Sequence, residues 1–244
     1  MSSDPSHDRG PQPRSRPPGS IGLRRLIEAK RAGSAPLDPV MIDRGFRGWH
    51  ERGYLPHYDA PHITQLVTFM LVDSFPVERR AEWELILKKE EESSRRRKLE
   101  AWLDRGMGEC WLRQPRVATL VEKALRQFDG VHYRLQAWVL MPNHVHVVVD
   151  VRDTPLSQWV KRWKGGTARE INLVLGRRGA FWQADYFDTK IRDAAHLAQA
   201  IRYVERNTTK AKLASDPRDW PWSSARLRDE HNRLPWQRDL ASGM

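Results

Sequence analysis

The chain has 244 residues, enough for one sizeable core with appendages, and its 39% hydrophobic and 30% charged residues suit a soluble, somewhat polar globular protein. A single cysteine, Cys110, excludes an intrachain disulfide and a cysteine-rich zinc site, and fits a reducing cytoplasm. No run of about 18 apolar residues offers a membrane span, and a net charge of +11 points to a polyanionic partner without choosing among DNA, RNA and an anionic surface.

Residues 1–43 are rich in Pro, Ser, Arg and Gly, with a short helical pattern around Leu23 to Ala32 and no apolar segment of the kind a secretory signal needs. They are expected to form a basic, disordered arm, serving either as a solvated tail or as a contact to a nucleic-acid backbone. The main domain is expected over residues 44–228, with a tail over 229–244. Gly45 to Pro56 mixes glycines, arginines and aromatics. That mixture suits a loop approaching nucleic acid, and an ordinary surface loop equally well.

Ile63 to Val72 is apolar and reads as the first strand. Pro76 opens a helical region reaching about Leu103, whose charged middle, Lys88 to Glu100, reads as a solvated face. A helix follows from Pro115 to Phe128, with Val117, Leu120, Val121, Ala124 and Leu125 at core spacing. Asp129-Gly130 marks a turn, and Tyr133 to Leu140 and His144 to Val151 are the next two strands. Leu156 to Leu175 reads as a basic helix carrying Lys161, Arg162, Lys164 and Arg169, loosened at Gly165-Gly166. Phe181 to Ile191 is a fourth strand, and Ala194 to Thr208 a helix burying Leu197, Ile201 and Val204. The order strand–helix–strand–strand–helix–strand is the split βαβ, ferredoxin-like α+β pattern. It predicts a four-stranded antiparallel sheet with helices on one face, followed by a further C-terminal helix.

The chemistry centres on Met141-Pro142-Asn143-His144-Val145-His146. Pro142 belongs at a strand end. Alternation along the strand then puts His144 and His146 on one face, about 7 Å apart along the chain. Two such imidazoles can chelate a divalent metal given a third ligand; taken alone, a His-x-His more often describes sheet histidines satisfied by hydrogen bonds. The last helix offers Tyr203 and Asn207 at i and i+4, on a shared face. Asn207 can give a carbonyl oxygen to a metal and Tyr203 a hydroxyl nucleophile. An ordinary phenol is only about 0.3% ionised near pH 7.5, a handicap of about 3.4 kcal/mol that a metal can offset. Tyr54, Tyr58, Tyr133 and above all Tyr186 compete for the role; Tyr203 alone pairs with Asn207.

Several motifs in this order resemble the REP-associated tyrosine transposases, bacterial relatives of the single-tyrosine HUH transposases. They are Arg52-Gly53-Tyr54-Leu55-Pro56-His57 with Ile63 to Pro76, the histidine–hydrophobic–histidine motif His144-Val145-His146, Thr167 to Asn172, Phe181 to Asp188, Ile191-Arg192-Asp193, Tyr203-Val204-Glu205-Arg206-Asn207 and Trp222-Ser223-Ser224. The resemblance spans residues 44 to 228 and departs where relatives carry Asn-Pro-Val and a later Gly; here Thr208-Thr209 follow Asn207 and Lys212 replaces the Gly. That departure implies a longer or differently aimed helix end. The resemblance implies cleavage and joining of single-stranded DNA near imperfect hairpins. Tyr203 would form a 5′-phosphotyrosine, and His144, His146 and Asn207 would hold Mg²⁺ or Mn²⁺. Arg52, Gly53, Tyr54 and His57, with Lys161, Arg162, Lys164 and Arg169, would contact DNA, in a monomer or a homodimer. A silent hairpin-binding regulator, a phosphodiesterase using water and an RNA-binding domain are the competing readings.

Overall fold

The computed structural model describes residues 27–52, 55–74, 92–235 and 237. Six strands are described: β1 (Gly48–Arg52), β2 (Leu55–Asp59), β3 (Ile63–Met70), β4 (Tyr133–Leu140), β5 (His144–Val151) and β6 (Phe187–Lys190). The helices are α1 (Pro39–Asp43), α2 (Glu92–Leu103), α3 (Pro115–Arg126), α4 (Leu156–Val174) and α5 (Ala194–Lys210).

The main sheet is antiparallel with the order β4-β5-β3-β6, the expected split βαβ arrangement. Its two faces are sorted by the pleat. Val145, Val147, Val149 and Val151 of β5 pack with Val117, Val121 and Leu125 of α3 and Trp159, Trp163 and Ile171 of α4. The alternate residue, Val148, packs with Leu66, Ala137, Val139 and, from α5, Ala200 and Val204. So α3 and α4 cover one face and α5 the other. In β4 a bulge at Gln136 shifts the register between Leu135 and Ala137, which lets Leu135 and Trp138 serve one face and Ala137 and Val139 the other.

Four expectations differ from what is found. Gly45 to Pro56 contributes to a hairpin, not a loop: β1 pairs with β2 from Gly48↔Asp59 to Arg52↔Leu55. Its inward positions, Leu55, His57 and Asp59, are buried, and two of the three are polar, which hid the alternation. The fourth strand is shorter than Phe181 to Ile191. Residues before Phe187 make one bridge, Leu71↔Trp182, and the carbonyls of Ala184 and Asp185 accept from Lys164 Nζ at 2.8 and 3.1 Å. Helix α4 runs unbroken through Gly165-Gly166. Helix α5 extends to Lys210, past the Thr208 expected.

From residue 27 the arm packs on the hairpin: Ile27 is buried, Arg31 Nε donates to Trp49 O at 2.6 Å, and the Lys30 ammonium lies over the Trp49 ring. The start of the helix expected from Pro76 lies outside the described residues, and α2 is its described end. Leu99, Trp102 and Leu103 of α2 pack against Leu55 and Met70.

Candidate active site

The register of the sheet assembles the site. Met70 faces His144 and Thr68 faces His146 across the β3–β5 ladder, on the face covered by α5. The turn at Pro142-Asn143 is fixed by Met141 N–H donating to His144 O at 2.8 Å and Leu71 N–H to Asn143 O at 2.9 Å. Both imidazoles are buried, 1% and 2% exposed. His144 Nδ1 lies 2.8 Å from Asn143 Oδ1, which can only accept, so this nitrogen carries the proton. Asn143 is itself held by donating Nδ2 to the carbonyls of Met107 at 3.1 Å and Leu103 at 3.4 Å. His146 Nδ1 lies 2.7 Å from Thr68 Oγ1. With their Nδ1 atoms taken up outside, the two Nε2 atoms converge at 3.1 Å. Burial, assisted by the charge of Lys210, lowers His144 to about 3 and keeps it neutral.

Helix α5 brings the other two groups. Asp193 caps its start, the carboxylate accepting from His196 N at 2.7 Å. Tyr203 and Asn207 project together over the imidazoles: Tyr203 Oη is 3.3 Å from His146 Nε2, and Asn207 Nδ2 donates to Tyr203 Oη at 3.3 Å. Asn207 is 1% exposed and its Oδ1 is buried with no hydrogen-bond partner. A buried carbonyl oxygen left unpaired is costly unless something binds it. Two imidazole nitrogens and this oxygen form a donor set that suits a divalent cation. Among the described residues no group of three His, Cys, Asp or Glu gathers that could hold a metal ion.

The end of α5 closes in a turn at Lys212. Leu213 N–H donates to Thr208 O at 2.8 Å and Ala211 N–H to Asn207 O at 2.9 Å. Lys212 takes the left-handed conformation the turn requires, with φ of 56°.

The residues expected to touch DNA lie elsewhere. Lys161, Arg162 and Arg169 are exposed on α4, across the sheet from Tyr203. The Arg162 guanidinium lies over the rings of Phe128 and Trp159. Lys164 is half-buried and engaged by two carbonyls. Arg52 ends β1, while Gly53 and Tyr54 lie outside the described residues.

His57, expected at the DNA surface, is 1% exposed, with Nδ1 bonded to Asp188 and Nε2 to Asp185 at 3.2 Å. A ring so enclosed offers no atom to a phosphate. Burial opposes its protonation, but the hydrogen bonds and charges of Asp185 and Asp188 outweigh that and lift it to about 9. It ties β2 to β6 as a buried cation. Tyr186, the rival nucleophile, is buried with its ring 4.6 Å from that of His57, among the residues packed on the α4 face.

Sequence reasoning missed Thr68 and Asn143, which orient the imidazoles. Thr68 was detectable as a polar residue in an apolar strand, and Asn143 as the neighbour of His144.

Residues 112–207 match the family described as "Transposase IS200 like". A solved structure of a REP-associated tyrosine transposase bound to a REP hairpin is 16% identical, with 80% of this chain and 86% of that one covered and a TM-score of 0.44. A putative transposase from Deinococcus radiodurans R1 is also 16% identical, with 65% and 96% covered and a TM-score of 0.31. No curated protein matches the chain in sequence. His144, His146, Tyr203 and Asn207 all fall within the matched stretch, residues 112–207, where the chain is similar to the IS200-like transposases.

Proposed function

We propose that this protein is a DNA strand transferase of the REP-associated tyrosine transposase type, cleaving and rejoining single-stranded DNA beside hairpins in the cytoplasm. The observation that carries the reading is the convergence of His144 Nε2, His146 Nε2 and Tyr203 Oη with the unpaired Asn207 Oδ1 on one face of the sheet. His144, His146 and Asn207 would hold Mg²⁺ or Mn²⁺, which when bound polarises the scissile phosphate and offsets charge built up during transfer.

The chain's own groups do the rest. Asn207 Nδ2 donates to the Tyr203 hydroxyl, which holds its oxygen over the imidazoles; the contact with His146 Nε2 is the one a bound metal would replace. The Tyr203 hydroxyl gives its proton to water as its oxygen bonds to phosphorus and the P–O3′ bond breaks, giving a 5′-phosphotyrosine, and the departing 3′ oxygen takes a proton from water. Attack by a 3′-OH on the phosphotyrosine reverses the step and joins strands, because the phosphodiester bond energy is kept in the protein link. The exposed cations of α4, Lys161, Arg162 and Arg169, would bind the backbone of the hairpin.

The test is incubation with a labelled single-stranded hairpin, taken from repeats flanking the gene, and Mn²⁺, followed by a denaturing protein gel. A labelled, slower band that needs metal and disappears with Tyr203→Phe is expected. Cleavage without a protein-linked label would replace this reading by hydrolysis; hairpin binding without cleavage would replace it by a regulator.

A further inference from the structure

Glu205 lies between Tyr203 and Asn207 in sequence but faces the other way. At about 100° per residue, the two site residues and Glu205 flank the ridge of Val204, which is 0% exposed and packs on the sheet. Tyr203 reaches toward β5 on one flank. On the other, Glu205 is met by the C-terminal segment: Arg228 Nε donates to its Oε1 at 2.6 Å and Oε2 at 2.8 Å, and Ser224 Oγ donates to Oε1 at 2.5 Å. The Arg228 side chain is itself 4% exposed, and its remaining donors go to Gln136 O at 2.8 Å and Asn232 O at 2.9 Å. The bulge at Gln136 supplies that carbonyl.

The segment holding Glu205 is fastened independently of it. Leu140 N–H donates to Trp222 O at 2.9 Å, Trp220 Nε1 to Leu140 O at 2.8 Å, and Arg226 to Glu122, which also accepts from Trp138 Nε1 at 3.0 Å. Loss of the Glu205 contact therefore removes one restraint on the roll of the helix and leaves its anchor in place.

We propose that Glu205, clamped by Arg228 and Ser224, is a positioning residue that sets the roll of α5 and so aims Tyr203 and Asn207 at the histidine pair. A roll about the Val204 ridge moves the tyrosine hydroxyl and the Asn207 oxygen together, while the exposed cations of α4, on the far side of the sheet, stay where they are. The inference rests on the proposed roles of those four residues.

The test removes both charges at once, Glu205→Gln with Arg228→Met, so that no buried ion is left unpaired. Three quantities are measured: Mn²⁺ affinity by calorimetry, hairpin affinity, and the rate of phosphotyrosine formation. A cooperatively folded double variant should bind Mn²⁺ about tenfold more weakly and form adduct about 100-fold more slowly, with hairpin affinity unchanged. Ser224→Ala, which takes one hydroxyl from the carboxylate, should move Mn²⁺ affinity and adduct rate the same way by less, and it decides the matter if the double variant does not fold. A folded variant that keeps both Mn²⁺ affinity and adduct rate overturns the proposal. If the wild-type protein forms no adduct but the variants lose Mn²⁺ affinity, the positioning role stands and the transposase reading falls.

Discussion

Thr68 Oγ1 lies 2.7 Å from His146 Nδ1, across the ladder from the imidazole that meets the tyrosine. The contact holds the ring so that Nε2 faces His144, as a second-layer partner does for a metal-bound histidine. Replacing Thr68 with Val keeps the shape and removes the oxygen. Mn²⁺ affinity, read by calorimetry, should fall roughly 10-fold or more, with little change in hairpin binding. An unchanged affinity would show that the ring is aimed by packing alone.

His57 predicts how stability responds to alkali. Its protonated form is favoured by folding, with the pKa raised from 6.5 to about 9. The stabilisation is therefore complete below about pH 6.5, declines as pH rises toward 9 and is gone above it. A shift of this size corresponds to about 3 kcal/mol. Melting temperature should drop between pH 7 and pH 10, and His57→Gln should start lower and show a flatter profile. A variant with the wild-type slope would place the alkaline loss elsewhere.

Lys212 carries a left-handed backbone that glycine adopts without cost. Lys212→Gly should raise stability by about 0.5–1 kcal/mol, measured by denaturant unfolding. A loss of stability would mean that the lysine side chain contributes more than its backbone strain costs.

If α4 binds the hairpin backbone, the triple change K161A/R162A/R169A should flatten the dependence of log affinity on log salt by about 0.9 per phosphate contact removed. Mn²⁺ binding should not change, because the sheet lies between these residues and the imidazoles. An unaltered salt slope would move the DNA contact to another surface.

The sheet and its helices were legible in sequence because each long element has a clean apolar period, as in Val145 to Val149 and the α3 positions Val117, Val121 and Leu125. The pairing of His144 with His146 and of Tyr203 with Asn207 was legible for the same reason: each depends on spacing within one element. The hairpin β1–β2 was not, since it fills its inward positions with His57, whose partners Asp185 and Asp188 lie more than a hundred residues away, and Asp59, which accepts from Leu156 N–H 97 residues on. Glu205 looked like an ordinary helical carboxylate, because Ser224 and Arg228, which define its role, lie 19 and 23 residues downstream.

The placement of α4 and Tyr203 on opposite faces turns the sheet into a ruler. A nucleic acid that touches both the cations of α4 and the tyrosine must pass around the sheet, since the strands leave no opening through it. If both surfaces bind one strand as proposed, an oligonucleotide too short to make the turn would occupy one station or the other, and only a longer one would occupy both.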